Sequence, residues 1–195
     1  MQIADQDTAL MLNNLVGNDI RALRKSRGVT IKELSLVLGR SVGWLSQVER
    51  DQAIPSIKDI ATIASHFGVN ISFFFRTANQ RPEERGLVLR AAERSSIGSS
   101  ESGLIEELLS PSLGGSFEMI KSTFAPRASS RGMRTPRKTE DGGVLLSGQL
   151  TLRIGDLEVH LNAGDSFQFV EKEYGWSNNN SEPAVVIWIV SPPIY

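Results

Sequence analysis

The chain has 195 residues, 40% of them hydrophobic, enough apolar material for one medium domain or for two small ones with separate cores. It contains no cysteine, which excludes disulfides, thiolate nucleophiles and zinc-thiolate sites and fits a reducing, cytoplasmic setting. The formal charge of -1 hides an asymmetry: residues 18–76 carry nine Lys or Arg against five Asp or Glu, whereas residues 96–195 carry eight against twelve, so the first half is the one suited to holding phosphate.

The first thirteen residues contain Asp5 and Asp7, have no basic start and no apolar run long enough for a signal sequence or membrane span, and read as a lead-in. From Leu15 to Phe75 apolar residues recur at helical spacing in short bursts bounded by Gly or small polar residues, which predicts five helices. The first covers about Asn14 to Ser26, with Leu15, Ile20 and Leu23 inward and Gly28 as its C-cap. Thr30 caps the second, and Glu33 stands at the spacing of a capping box. That helix ends at Gly39, and Ser41 caps a third with Leu45 and Val48 on its buried face and Trp44, Gln47 and Arg50 outward. Pro55 and Ser56 start a fourth, and Asn70 starts a short fifth that ends in Phe73, Phe74 and Phe75.

Residues 77–86 are polar, without a periodic apolar face, and read as a linker between domains at 14–76 and 87–195. After it the period falls to two. Apolar runs at Leu87–Leu89, Leu104–Leu109, Phe117–Phe124, Val144–Leu146, Leu150–Ile154, Leu157–Leu161, Phe167–Val170 and Val185–Val190 predict eight short strands, hence an antiparallel sandwich or barrel.

The segment Thr30–Ile57, TIKELSLVLGRSVGWLSQVERDQAIPSI, resembles the helix-turn-helix of the phage-repressor-like regulators, the XRE or Cro/CI type, and the resemblance extends over about Asn18 to Phe75. Glu33-Leu34, Gly39, the block Leu45 to Arg50 and the Pro55-Ser56 step carry it. It implies a lambda-repressor-like, all-α domain that binds double-stranded operator DNA as a homodimer on two half-sites about one helical turn apart. The third helix would then read the major groove. Gln47 offers both a donor and an acceptor to an adenine edge, Trp44 packs on a thymine methyl or a sugar unless it is half buried beside the first helix, Val42 and Gly43 give shape, and Ser46 allows close approach. Thr30, Lys32, Arg40, Ser41 and Arg50 are the phosphate candidates, with solvated surface charge the alternative for Lys32 and Arg40. The resemblance also implies that Arg24 and Glu49 form a structural pair beneath the third helix.

From about Phe117 to the end the chain resembles a cupin, an all-β double-stranded β-helix barrel. The stretch Glu140 to Leu150, then Ala163 to Ser166, Asn179 and Glu182 to Ala184 carry that resemblance. Aligned on Gly148 and Gly164, the family's metal-ligand positions hold Thr135, Arg137, Asp141 and Gly175; His66 and His160 lie elsewhere, so no metal and no cofactor is expected. A metal-free barrel keeps a cavity for a small-molecule effector. Arg137 is the candidate for bidentate capture of a carboxylate or another anion, with Thr135, Asp141, Tyr174 and Trp176 beside it, unless the basic run Arg127–Lys138 is only a solvated loop. The expected function is a ligand-responsive transcriptional regulator without enzymatic activity. A cupin metalloenzyme, an isomerase or dioxygenase with an accessory helical domain, is the alternative, and a module that assembles on a protein partner is a second.

Overall fold

A computed structural model describes residues 16–75, 81–84, 86–94, 96–97 and 103–194. The chain divides into a unit of Met1–Ser95, Pro111–Gly115 and Ile194–Tyr195, which holds the helices and is called the helical unit, and a β unit of Ser96–Ser110 and Ser116–Pro193. The lead-in, Leu15 and half of the expected linker lie outside the described residues.

The helical unit contains α1 (residues 16–26), α2 (Ile31–Leu38), α3 (Val42–Val48) and α4 (Ile57–Phe67). Local chemistry sets their ends. Thr30 and Glu33 form a reciprocal capping box at the start of α2, and Ser56 and Asp59 form another at the start of α4. Gly39 ends α2 at φ 63°, ψ 29°, the left-handed conformation that allows a sharp exit into α3. Ile20, Leu23, Leu34, Leu45, Val48 and Ile63 are fully buried and make the core. At Gly17 a side chain would collide with the backbone carbonyl of Val48, so α1 approaches the end of α3 as closely as two backbones can. The Gly17 N–H and Asn18 Nδ2 both donate to Asp51 there.

The expected fifth helix is corrected. Ile71–Phe75 is a 3-10 turn, opened by the Ser72 N–H on Asn70 Oδ1 and the Phe73 N–H on the Asn70 carbonyl. Five residues rich in aromatics are too short to repay helix nucleation, and burial of Phe73 and Phe74 holds the segment instead.

The β unit has β1 (Ser96–Ile97), β2 (Leu104–Leu108), β3 (Glu118–Phe124), β4 (Glu140–Ser147), β5 (Gln149–Ile154), β6 (Leu157–Asn162), β7 (Ser166–Val170), β8 (Tyr174–Ser177) and β9 (Ala184–Ser191). One sheet runs β1-β2-β3-β9-β4-β7 and the other β6-β5-β8, all antiparallel. Alternation sorts the side chains: Ile120, Phe124, Val186, Trp188 and Leu145 are buried from the larger sheet, and Leu150, Leu152, Leu161 and Trp176 from the smaller. Gly143 serves that packing, because a Cβ there would come 2.7 Å from the Phe167 ring. Leu87–Leu89 forms no strand, contrary to expectation. Leu87 is 76% exposed, and the Leu87 and Val88 N–H groups close a turn on the Glu84 carbonyl instead of entering a ladder. Tyr174–Ser177 and the two-residue β1 are strands that the apolar runs do not announce.

Candidate nucleic-acid interface and barrel interior

The recognition element is built from the turn outward. After Gly39, the Ser41 hydroxyl accepts from the Trp44 N–H at 3.1 Å and fixes the first turn of α3. Leu45 and Val48 bury one side of this short helix. The other side is left to Val42, Gly43 and Gln47, all exposed, with Trp44 and Ser46 half-buried. Gln47 therefore stands where its amide meets solvent in the free protein. Lys32 is exposed on α2, while the Thr30 hydroxyl is engaged with the Glu33 N–H. The Thr30 hydroxyl and the Thr30 N–H, which donates to Glu33 Oε2, hold the exposed Glu33 carboxyl below its ordinary range.

Beneath α3, Arg24 and Glu49 form a bidentate pair, Nε to Oε1 at 2.6 Å and Nη2 to Oε2 at 2.8 Å, with side chains only 11% and 4% exposed. Arg24 Nη1 also donates to the Val29 carbonyl at 2.9 Å, so one guanidinium joins α1, the turn after it and the end of α3. The bond to Glu49 raises the Arg24 pKa against the effect of burial. Around this pair lies a notch of about 210 Å³ lined by Arg21, Arg24, Ile31, Ser46, Glu49 and Arg50. Arg21 and Arg50 are exposed at its rim, and Arg50 Nε reaches Gln52 Oε1 at 3.3 Å. Arg21 is not among the residues that the sequence motif singles out. Its signal is the placement of an arginine one helical turn ahead of Arg24 on the same side of α1.

Arg40 is exposed, 47% of its side chain accessible, yet it is paired. Its Nε and Nη2 each donate to an oxygen of Asp59 at 3.1 Å, and its Cζ lies 4.9 Å from the centre of the Trp44 ring.

In the barrel the structure rearranges the expected effector residues. Thr135 and Arg137 are exposed. The guanidinium brought to the inner aromatics is that of Arg134, whose Nη1 donates to the Tyr174 hydroxyl at 3.3 Å and whose Cζ is 5.7 Å from that ring. Tyr174 packs against Phe169 and Trp188, and burial pushes its hydroxyl pKa up. Glu106, which no sequence motif marks, points inward from β2: burial raises its carboxyl pKa, opposed by the charge of Arg134, a 3.4 Å bond from Ser122 and the charge of Arg137. Asp141 is buried and accepts from Thr139 Oγ1 at 2.6 Å. Trp176 is buried with its ring nitrogen unpaired and its ring against Phe124. Thr135, Arg137 and Gly175 do not fit a divalent cation, since a guanidinium repels it and the glycine offers no ligand. Among the described residues, no three His, Asp or Glu side chains converge as a metal site would need.

The family described as Helix-turn-helix matches residues 20–74, and the family described as Cupin domain matches residues 121–190. Over 152 residues the chain is 24% identical to the HTH-type transcriptional regulator PuuR of Escherichia coli strain K12, covering 77% of this chain and 80% of that one. It is 29% identical over 83 residues to the transcriptional regulator ClgR of Mycobacterium tuberculosis strain H37Rv, covering 43% of this chain and 74% of that one. A crystal structure of a helix-turn-helix family transcriptional regulator from Vibrio cholerae is 24% identical and covers 95% of this chain and 99% of its own, with a TM-score of 0.46. With one family matched by the helical unit and the other by the β unit, the chain is a helix-turn-helix protein of the XRE type that carries a C-terminal cupin domain.

Proposed function

We propose that the chain is a sequence-specific, DNA-binding transcriptional regulator rather than an enzyme, with α3 as the helix that enters the major groove of operator DNA. One observation carries this reading. A seven-residue helix, held from behind by Leu45, Val48 and the Arg24–Glu49 pair, leaves Val42, Gly43 and Gln47 facing outward with Trp44 and Ser46 half-buried beside them. A rigid back and an adaptable polar front are what base reading needs. Gln47 is assigned to a base edge, and Arg50, Lys32, Thr30 and Ser41 to the backbone. Selection of duplexes from a random library tests it. Gln47→Ala relaxes preference at one base step, whereas Arg50→Ala weakens all sequences alike and makes the salt dependence shallower. No selection by the wild type at low salt overturns the reading.

The barrel is proposed to sense a small carboxylate or another anion, with Arg134 rather than Arg137 as the proposed anchor. Arg134 already reaches the Tyr174 hydroxyl, on which the Asp141 charge also acts, whereas Arg137 is exposed. Calorimetry with a panel of carboxylates checks this. Arg134→Ala abolishes the heat, Arg137→Ala weakens it, and unchanged heats in both remove the assignment. The regulator acts in the cytoplasm as a homodimer, since one helix-turn-helix covers too little DNA for strong specificity. The outer face of β9 is the proposed contact with a second copy. Among the described residues no helix is long and apolar enough to cross a membrane.

A further inference from the structure

The turn between α2 and α3 holds an arrangement that base reading by α3 alone does not require. Arg40 follows the left-handed Gly39 and precedes the capping Ser41. Its fork lies on Asp59, and its Cζ lies over the Trp44 ring. Asp59 in turn accepts from the Ser56 N–H at 3.0 Å and the Ser56 hydroxyl at 2.6 Å, closing the start of α4. One guanidinium therefore connects the first turn of α4 to the largest side chain on α3.

Two consequences follow. A phosphate approaching Arg40 meets a nearly neutral pair, because a carboxylate 3.1 Å from the guanidinium cancels most of its field, and two of its five N–H groups are already used. Counterion release scales with the phosphates neutralised, so a paired arginine contributes little to it. The indole, for its part, is stacked on a cation that is anchored at a second point. It has lost rotamer freedom before any DNA arrives, which lowers the ordering cost of binding.

We propose that Arg40 is a positioning residue for base recognition and not a phosphate ligand: forked onto Asp59 and stacked on Trp44, it fixes the direction in which the indole meets DNA. This rests on the DNA-binding reading above. Lysine does not replace it, since an ammonium has neither the planar fork nor the flat face.

The test uses the full chain as wild type, Trp44→Ala, Arg40→Met, Arg40→Lys and Asp59→Asn. Duplexes are selected from a random library, and affinity for the best site is measured against salt. Both Arg40 variants flatten preference by about two- to fivefold at the base step that Trp44→Ala flattens. Their slopes of log affinity against log salt stay at the wild-type value, and the Arg40→Met/Trp44→Ala double variant is no flatter than Trp44→Ala. A readout without DNA accompanies this. Trp176 and Trp188 are buried, so iodide quenching of tryptophan emission reports chiefly on Trp44, and it rises in Arg40→Met and Asp59→Asn. A slope shallower by about one with base preferences intact makes Arg40 a phosphate ligand and overturns the proposal. Unchanged quenching and unchanged preferences in Arg40→Met and Arg40→Lys overturn it as well. A wild type that quenches as expected but selects no sequence fells the DNA-binding reading, and base positioning with it.

Discussion

Asp59 shows how one side chain couples pH to the helical unit. Burial pushes its carboxyl up, but hydrogen bonds from Arg40 and Ser56 outweigh that and hold it below the ordinary carboxylate range. A carboxyl lowered by folding contributes stability above its unfolded pKa and loses it as pH falls through the folded value. Thermal melts from about pH 7 down to about pH 3 should therefore show the helical unit weakening below the usual Asp range of ~3.9, and Asp59→Asn should be less stable at neutral pH with a flatter acid limb. An Asp59→Asn curve parallel to the wild type would remove the assignment. Asp59 also marks a limit of the sequence. Family resemblance is enough to pair Arg24 with Glu49, whereas Arg40 and Asp59 lie nineteen positions apart with a partnership that depends on where α4 begins. Unbroken alternation favours Arg137 over Arg134 as the inward cation. The segment instead meets β8 through isolated bridges at Ser129 and Arg134 rather than a continuous ladder, so the period is interrupted and a different side chain turns inward.

Among the elements, those with local instructions are legible and those fixed by distant partners are not. The caps at Thr30 and Ser41 and the left-handed Gly39 are written within four residues of where they act, so α2, α3 and the turn between them can be read directly. Strand β8 escapes because Gly175 and Ser177 fill its alternate positions; only pairing with β5 makes it a strand. Leu87–Leu89 has the composition of a strand, yet the Leu87 and Val88 N–H groups donate to the Glu84 carbonyl in a turn. Gly143 belongs to the same argument, as a motif glycine whose reason is visible only across the sheet. Gly143→Ala must displace both the Phe167 ring and the Ile187 carbonyl, each 2.7 Å from the added carbon. A loss of about 1–3 kcal/mol in a denaturant titration of the β unit is expected, with the helical unit unaffected.

At the scale of the molecule, the outer face of the larger sheet bears on assembly. Ile189 and Val170 are exposed there, 39% and 56%, beside a groove of about 620 Å³ along Gly142, Gln168 and Ile189. If a second copy covers this face, Ile189→Lys should shift the mass measured by light scattering from dimer to monomer and weaken binding to a two-half-site duplex more than to a single half-site. A dimer unchanged by Ile189→Lys would place the contact elsewhere. The order of strands has a separate consequence for biosynthesis. β9, the last strand in the sequence, lies between β3 and β4 in the middle of the six-stranded sheet. On the ribosome α1 to α4 and the 3-10 turn have all emerged once residue 75 is out, but the sheet lacks its centre until residue 191 follows. A nascent chain thus carries a finished reading head well before it owns the domain proposed to govern it.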